Sequence, residues 1–180
     1  MSEEAIEVRN FLFKIIVVGD GGVGKSTMIQ RLITGQFVPM KITIGTDLAS
    51  YTIKTGNFNI KLQIWDFAGE RRFRFFLPNY ARGAMGCLLC YDINRYSSFQ
   101  NLQEWYDIII ENSKDPTLLL VGCKLDLSKE KRSVKVEEAD VFKKEHNIAH
   151  FIETSSKTGE NNNNIFEILT KEIIKNKNLA

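Results

Sequence analysis

Residues 19–26 read Gly-Asp-Gly-Gly-Val-Gly-Lys-Ser and match the pattern G-x-x-x-x-G-K-[ST], which decides the fold. They follow an apolar, β-branched run at residues 11–18, which predicts a buried strand. They precede apolar residues at helical spacing, which predict an amphipathic helix ending at Gly35. In this setting glycines let backbone N–H groups curl around a phosphate, and the helix adds its positive N-terminal end. The residues predicted to form this phosphate loop are Gly19, Asp20, Gly21, Gly22, Val23, Gly24, Lys25, Ser26 and Thr27.

The end of the motif carries the polar chemistry. Lys25 would supply a cation to the β- and γ-phosphates of a nucleotide, and the Ser26 hydroxyl would ligate Mg²⁺. The motif therefore predicts nucleotide binding and leaves open which base is bound and which reaction follows. The alternative, a plain glycine-rich turn, does not account for the strand and helix on either side.

The composition is that of one ordinary globular domain. Of 180 residues, 43% are hydrophobic and 26% are charged, and the formal net charge is +2. Such a chain is too hydrophobic and too balanced to be disordered, and so small a positive excess, with no long basic run, does not suggest a dedicated nucleic-acid binder, so we expect no nucleic-acid partner. We expect a flexible N-terminus at residues 1–10, one domain over residues 11–175 and a short tail at residues 176–180.

Cysteine content and hydropathy predict the compartment. Three cysteines are an odd and sparse set, which favours a reducing environment and a cytoplasmic protein. Cys87 and Cys90 form a C-x-x-C pair, but in a strand residues three apart point to opposite faces, so we expect buried core residues rather than a redox or zinc pair. No segment is long enough for a membrane span, and the chain ends without a lipidation cysteine. We expect a monomer that reaches membranes only through partners or a missing tail.

Apolar runs predict an α/β fold. Residues 58–64 alternate apolar and polar, which predicts a half-buried strand paired with residues 48–53 through a turn at residues 55–57. Strands alternating with helices predict a doubly wound, mostly parallel six-stranded sheet with one antiparallel edge strand and helices on both faces. The other runs read as buried strands are residues 84–91, 118–123 and 151–152. One helical stripe predicted to face the core comprises Phe99, Leu102, Trp105, Tyr106, Ile109 and Ile110.

A second polar site follows the hairpin at residues 66–69, Asp-Phe-Ala-Gly. Asp66 ends an apolar strand, where a carboxylate can hold Mg²⁺ opposite Ser26. Gly69 would bring a backbone N–H to the γ-phosphate, so that loss of this phosphate releases the loop. Alone, D-x-x-G usually makes only a turn, but after a phosphate loop and at the end of the next strand pair it becomes specific.

Together these motifs resemble the Ras-superfamily small GTPases, nearest the Rab branch, over about residues 11–175. The resemblance implies the P-loop NTPase fold of a G domain, with GTP or GDP and Mg²⁺ as ligands and GTP hydrolysis as the activity. It also implies effector and regulator proteins that bind through residues 37–47 and 66–82, called switch I and switch II below. The stretches that carry the resemblance are residues 19–27, 43–47, 61–66 and 82–84.

The resemblance also implies roles for single residues. Thr43 would ligate Mg²⁺ together with Ser26 and Asp66 and would sense the γ-phosphate, and Phe37 would pack against guanine. Without the resemblance, Thr43 reads as an ordinary loop threonine and Phe37 as a core aromatic. The implied catalytic residues are Glu70, Lys25, Thr43 and Gly69.

Residues 123–126, Cys-Lys-Leu-Asp, stand where guanine-specific members carry N-K-x-D. Asp126 can accept hydrogen bonds from N1–H and the 2-amino group of guanine, whereas adenine would leave a buried carboxylate unpaired. The stem of Lys124 would pack over the base. Residues 154–157, Thr-Ser-Ser-Lys, resemble the family's S-A-K loop, in which the Ser156 N–H would meet the base oxygen and Lys157 would cover its other face. Cys123 and Ser155 complete the predicted base site.

Several positions depart from the family pattern. Cys123 replaces an asparagine, so a strong amide donor becomes a weak thiol, and we expect weaker nucleotide retention. Glu70 replaces the glutamine that orients the attacking water, which predicts slow intrinsic hydrolysis, or different hydrolysis if the carboxylate serves as a base. The spacing from Lys25 to Thr43 is one residue shorter than is usual in the family, which implies a tighter switch I.

Three arginines follow Glu70 and allow two interpretations. Arg71, Arg72 and Arg74 would either donate to phosphate or form a solvated face, and we favour the solvated face.

The leading hypothesis is a molecular switch that cycles between GTP and GDP states in membrane trafficking or signalling. An alternative is a nucleotide-binding interaction module that barely hydrolyses GTP, because Glu70 replaces the glutamine. A third is a P-loop kinase or ATPase, for which Lys124 and Asp126 are unsuited.

Overall fold

A six-stranded sheet organises the computed structural model, which describes residues 7–180. The strand order is β2-β3-β1-β4-β5-β6, and within these residues β2 alone pairs antiparallel, at the sheet edge. The predicted fold class and the predicted hairpin are therefore confirmed. The strands are β1 Arg9–Val18, β2 Thr46–Thr55, β3 Phe58–Phe67, β4 Gly86–Asp92, β5 Thr117–Cys123 and β6 His150–Thr154.

Helices cover both faces of the sheet. One face packs against α1 and α7, and the other packs against α2, α4 and α6, which gives two separate hydrophobic cores. The helices are α1 Lys25–Thr34, α2 Leu77–Ala81, α3 Tyr96–Gln100, α4 Leu102–Asn112, α5 Ser128–Lys131, α6 Val136–Glu145 and α7 Asn162–Asn176. Short 3₁₀ turns occupy Arg71–Phe76 and Leu125–Leu127.

Strands β4 and β5 are buried at every residue, because helices cover both of their faces. Cys87 belongs to one core and Cys90 to the other, which confirms that the C-x-x-C pair points to opposite faces. These two cysteines and Cys123, all within the described residues, are buried and form no disulfide. Burial raises the pKa of the Cys87 and Cys90 thiols, so little reactive thiolate forms at neutral pH.

Two boundaries differ from the sequence-based expectations. Strand β1 begins at Arg9, before the predicted start at residue 11, because Arg9 pairs with Phe58 of β3 and its guanidinium lies over that ring. Residues 1–6 of the predicted flexible N-terminus lie outside the described residues. The helical stripe is divided between α3 and α4, and Ile110 is exposed rather than in the core.

No helix among residues 7–180 is long and apolar enough to cross a bilayer.

The sheet places the carboxyl ends of its five parallel strands along one edge. At β1 the chain order reverses, since β3 lies on one side and β4 on the other. A crevice opens at such a reversal in doubly wound sheets, and ligands bind there. The loops after β1, β3, β4, β5 and β6 therefore meet at one site.

Candidate functional site

A cavity of about 450 Å³ lies at this edge, within the size range of small-molecule sites. The phosphate loop, switch I, the start of switch II and the two predicted base segments all line it, so the structure brings most of the predicted residues together. The lining residues are Gly21, Gly22, Gly24, Lys25, Ser26, Thr27, Phe37, Pro39, Met40, Lys41, Ile42, Thr43, Gly69, Glu70, Cys123, Lys124, Asp126, Leu127, Ser156 and Lys157.

The phosphate loop is held closed by its own lysine. Lys25 is 5% exposed, and its Nζ donates to the carbonyl oxygens of Gly19 at 2.7 Å and Asp20 at 2.9 Å. Burial lowers the pKa of Lys25, and the neighbouring Asp66 carboxylate opposes that shift. Gly19 has φ +142°, and a Cβ there would lie 2.1 Å from the Cys90 carbonyl oxygen, so only glycine lets the loop lie against β4.

Three oxygen-bearing side chains converge beside Lys25. Ser26 Oγ lies 2.6 Å from Thr43 Oγ1, and both hydroxyls donate to Asp66 Oδ2, the second of them at 3.3 Å. The other carboxylate oxygen, Asp66 Oδ1, is buried without a hydrogen-bond partner. Burial raises the pKa of Asp66, whereas the hydrogen bond from Ser26 and the charge of Lys25 lower it. Two hydroxyls and an under-satisfied carboxylate are hard oxygen ligands, so these residues fit Mg²⁺.

The first residues of switch II lie directly against the phosphate loop. A Cβ on Gly69 would be 2.0 Å from the backbone nitrogen of Gly21, so a glycine is required for this approach. Glu70 lines the cavity, and its Oε2 lies 2.7 Å from Nε of Arg72. The residue in place of the usual glutamine is therefore a carboxylate in an exposed ion pair.

Asp20 turns its side chain away from the cavity and ties three other elements together. Its Oδ1 accepts hydrogen bonds from Trp105 Nε1 at 2.9 Å and Arg74 Nη2 at 3.2 Å, and its Oδ2 accepts one from Asn101 Nδ2 at 2.6 Å. Arg74 also pairs with Glu104 and lies 4.3 Å from the ring centroid of Trp105. Side chains of switch II and α4 thus hold the phosphate loop from outside.

The prediction that Arg71, Arg72 and Arg74 form a solvated face is wrong for Arg74. The Arg74 side chain is only 11% exposed, because Asp20 and Glu104 draw it onto Trp105. Arg71 and Arg72 are 77% and 66% exposed, as expected.

Behind Asp126, a buried serine orients the carboxylate. Ser155 Oγ donates to Asp126 Oδ1 at 2.7 Å, and Ser155 itself does not line the cavity. Lys124 has φ +67°, a strained backbone for a lysine, and its Nζ lies 2.8 Å from Asp92 Oδ2. Asn94 Nδ2 donates to the Lys124 carbonyl oxygen at 3.2 Å. Asp92, the last residue of β4, and Asn94, which lies two residues beyond it, were not identified from the sequence.

Cys123 lies between the phosphate and base ends of the cavity. It is 3% exposed, and its Cβ lies 3.7 Å from where a Cβ on Gly24 would be. Phe37 stands at the cavity mouth and is 44% exposed, so it is not a core aromatic. Four more predicted site residues do not line the cavity: Gly19, Asp20, Val23 and Asp66.

Comparison with known proteins places the fold and the site in one family. The profile described as “Ras family” matches residues 14–175. The GTP-binding protein ypt3 of Schizosaccharomyces pombe is 40% identical over 168 residues, 92% of this chain and 78% of that protein. Ras-related protein SEC4 of Saccharomyces cerevisiae is 41% identical over 90% of this chain and 75% of its own length. Ras-related protein Rab-13 of Bos taurus is 42% identical over 91% of this chain and 80% of its own length. The chain therefore belongs to the Ras family as a Rab-like small GTPase, a class that binds GTP or GDP together with Mg²⁺.

Proposed function

We propose that this GTPase is a molecular switch in membrane trafficking whose GTP and GDP states differ at switch I and switch II. The observation that carries the proposal is the convergence of Ser26, Thr43 and Asp66 beside Lys25. That cluster joins the phosphate loop, switch I and β3, so a ligand bound there acts on all three. The similarity to SEC4 and Rab-13 supports the assignment to trafficking.

The phosphate end of the site has a simple division of labour. Lys25 and the backbone N–H groups of residues 21–26 bind the β- and γ-phosphates, and Ser26, Thr43 and Asp66 hold Mg²⁺. When bound, Mg²⁺ neutralises charge that develops on the phosphates. The two hydrogen bonds from Lys25 Nζ to backbone carbonyl oxygens hold its ammonium group at the inner side of the loop, where it can bind an anion. Contacts of Thr43 and Gly69 with the γ-phosphate then make the positions of switch I and switch II depend on whether that phosphate is present.

Base selection follows from the opposite end of the cavity. Ser155 holds Asp126 in one orientation, so its carboxylate is preorganised to accept from guanine N1–H and the 2-amino group. The ion pair with Asp92 fixes the lysine stem of Lys124 beside the base. Ser156 and Lys157 complete the other wall.

The nucleotide that copurifies with the protein, followed by GTP and ATP turnover with Mg²⁺, tests this function. We expect bound GDP or GTP, and Asp126→Ala is expected to weaken GTP binding at least a hundredfold. Asp115→Ala, a carboxylate outside the cavity, is the matched control and should bind GTP normally. Copurified ATP, or equal affinity for ATP and GTP, would contradict the proposal.

Glu70 favours a second candidate, an interaction module that binds GTP but barely hydrolyses it. A carboxylate accepts hydrogen bonds but does not donate them, and this one is already paired with Arg72. We expect slow single-turnover hydrolysis that Glu70→Gln accelerates about tenfold, since an amide both donates and accepts. The same rate in wild type, Glu70→Gln and Glu70→Ala would remove Glu70 from the mechanism. Absence of turnover in wild type, restored by Glu70→Gln, would establish the module.

A further inference from the structure

Arg95 follows β4, and its guanidinium reaches across to the outer side of the phosphate loop. Its Nη2 donates to the Gly21 carbonyl oxygen at 2.7 Å. Its Nη1 lies 3.7 Å from where a Cβ on Gly22 would be. The guanidinium therefore spans the peptide that joins Gly21 to Gly22.

The backbone of Arg95 is held firmly, so this reach is preorganised. Its N–H donates to the Asp92 carbonyl oxygen at 3.0 Å. Its own carbonyl oxygen accepts the Ser98 hydroxyl at 2.7 Å, and Ser98 is fully buried. The Arg95 Nε is itself buried without a hydrogen-bond partner. This nitrogen is thus withdrawn from water while the end of the guanidinium contacts the loop.

The charge of Arg95 has no carboxylate partner among residues 7–180, whereas Arg74 pairs with Asp20 and Glu104, and Arg132 pairs with Glu153. Asp20 and Arg95 line the same surface cleft beside the phosphate loop. The two carboxylate oxygens of Asp20, however, already accept hydrogen bonds from Trp105, Arg74 and Asn101. A full positive charge therefore acts on the Gly21 carbonyl and, through it, on the phosphate loop.

Peptide geometry determines what this contact does. No peptide bond within the described residues is cis, and in a trans peptide the C=O and N–H point in opposite directions. Because the Gly21 oxygen faces Arg95, the N–H of Gly22 points the other way, toward the cavity that Gly22 lines. A charge-assisted hydrogen bond to the carbonyl polarises the peptide and makes its N–H a stronger donor.

We propose that Arg95 is a positioning residue for GTP hydrolysis, which orients and polarises the Gly21–Gly22 peptide so that the Gly22 N–H stabilises the leaving diphosphate. The inference rests on the proposed function. In hydrolysis the water oxygen bonds to the γ-phosphorus, and the bond from the γ-phosphorus to the bridging oxygen breaks. The electron pair of the broken bond stays on GDP, and both protons of the water end on oxygens of the phosphate product. Charge builds on GDP in the transition state, so a strengthened donor lowers the barrier more than it tightens GTP binding.

Single-turnover hydrolysis and GTP dissociation, measured on the same variants, test the proposal. Arg95→Met keeps the apolar stem but loses charge and donors, so hydrolysis should slow about tenfold while the GTP dissociation constant changes less than threefold. Arg95→Lys should recover part of the rate, because it keeps the charge and a donor. Arg9→Met is the matched control, since Arg9 also donates to a backbone carbonyl, that of Leu179, away from the cavity. Equal losses of hydrolysis and GTP affinity, or an unchanged rate in Arg95→Met, would overturn the proposal.

The backbone amide of Gly22 gives a readout that needs no turnover. In the GDP complex, Arg95→Met should shift the Gly22 ¹⁵N resonance upfield relative to wild type, and Arg9→Met should leave it unchanged. If wild type bound GTP without hydrolysing it, the proposed hydrolysis would fail, yet this shift would still show whether Arg95 polarises the peptide. An unshifted Gly22 resonance would overturn the polarisation itself.

Discussion

Switch I and switch II border the same cavity but are attached to the protein in opposite ways. Residues 37–44 of switch I have no regular structure, and Ile42 and Ile44 are 74% and 75% exposed. The Thr43 hydroxyl joins this segment to Ser26 and Asp66, and Gly45 receives a backbone hydrogen bond from Ala68. Little of switch I is buried, so its position depends on the polar cluster that fits Mg²⁺.

Switch II is anchored by packing and by ion pairs that do not involve the cavity. Leu77 and Ala81 are fully buried, and the Tyr80 ring lies 5.3 Å from that of Trp65. Arg74 adds the bonds to Asp20 and Glu104. Switch I is therefore held mainly by the polar cluster at the cavity, whereas switch II is attached to the phosphate loop by side chains outside the cavity.

Among the variants that test this comparison, the largest effect is expected from removing the attachment of switch II to the phosphate loop. Arg74→Ala removes a mostly buried guanidinium from Asp20, Glu104 and the face of Trp105, so we expect the free energy of unfolding to fall by about 2 kcal/mol. Urea denaturation at saturating GDP and Mg²⁺ measures the loss. Amide exchange in residues 70–81 should rise in the same variant, while exchange in residues 37–44 stays unchanged.

Arg72→Ala is the matched control for this experiment. Its ion pair with Glu70 is exposed, so the loss should stay below about 0.5 kcal/mol. Equal losses in the two variants would mean that switch II is not anchored through Arg74.

A smaller effect is expected from removing the Thr43 hydroxyl, which joins switch I to Ser26 and Asp66. Thr43→Ala removes one of the three converging oxygens, so Mg²⁺ affinity in the presence of GTP should fall about tenfold. Residues 37–44 should lose their Mg²⁺-dependent protection from amide exchange, with stability changed by less than about 0.5 kcal/mol. Thr43→Ser keeps the hydroxyl and should behave like wild type. If Thr43→Ala kept both affinity and protection, switch I would not depend on this oxygen cluster.

The same contrast explains what the sequence could predict. The phosphate loop follows β1, and Asp66 lies near the end of β3. Both strands are visible in the apolar pattern of the sequence, so parallel packing places the two polar segments together without further information. Arg74 with Asp20 and Arg95 with Gly21 span 54 and 74 residues, and Ser155 reaches Asp126 across 29. These contacts depend on how loops from different strands turn at the edge of the sheet, and no local pattern encodes that. The short 3₁₀ turn and α2 in switch II escaped prediction for the same reason, since they form against α4.

The smallest expected effect is on the rate of GDP release, which sets how long switch I stays ordered by the bound nucleotide. Cys123 occupies a buried position between Gly24 and the base segment, where an asparagine would add an amide donor and acceptor. One added hydrogen bond contributes about 1 kcal/mol, so Cys123→Asn should slow GDP release about fivefold and prolong the protection of switch I. Cys123→Ala removes the thiol without adding a donor and should release GDP within about twofold of wild type. Release from Cys123→Asn as fast as from wild type, with equal thermal stability, would mean that the thiol does not limit retention. The lifetime of the ordered switch I would then be set at the phosphate end, by Lys25 and the oxygen cluster alone.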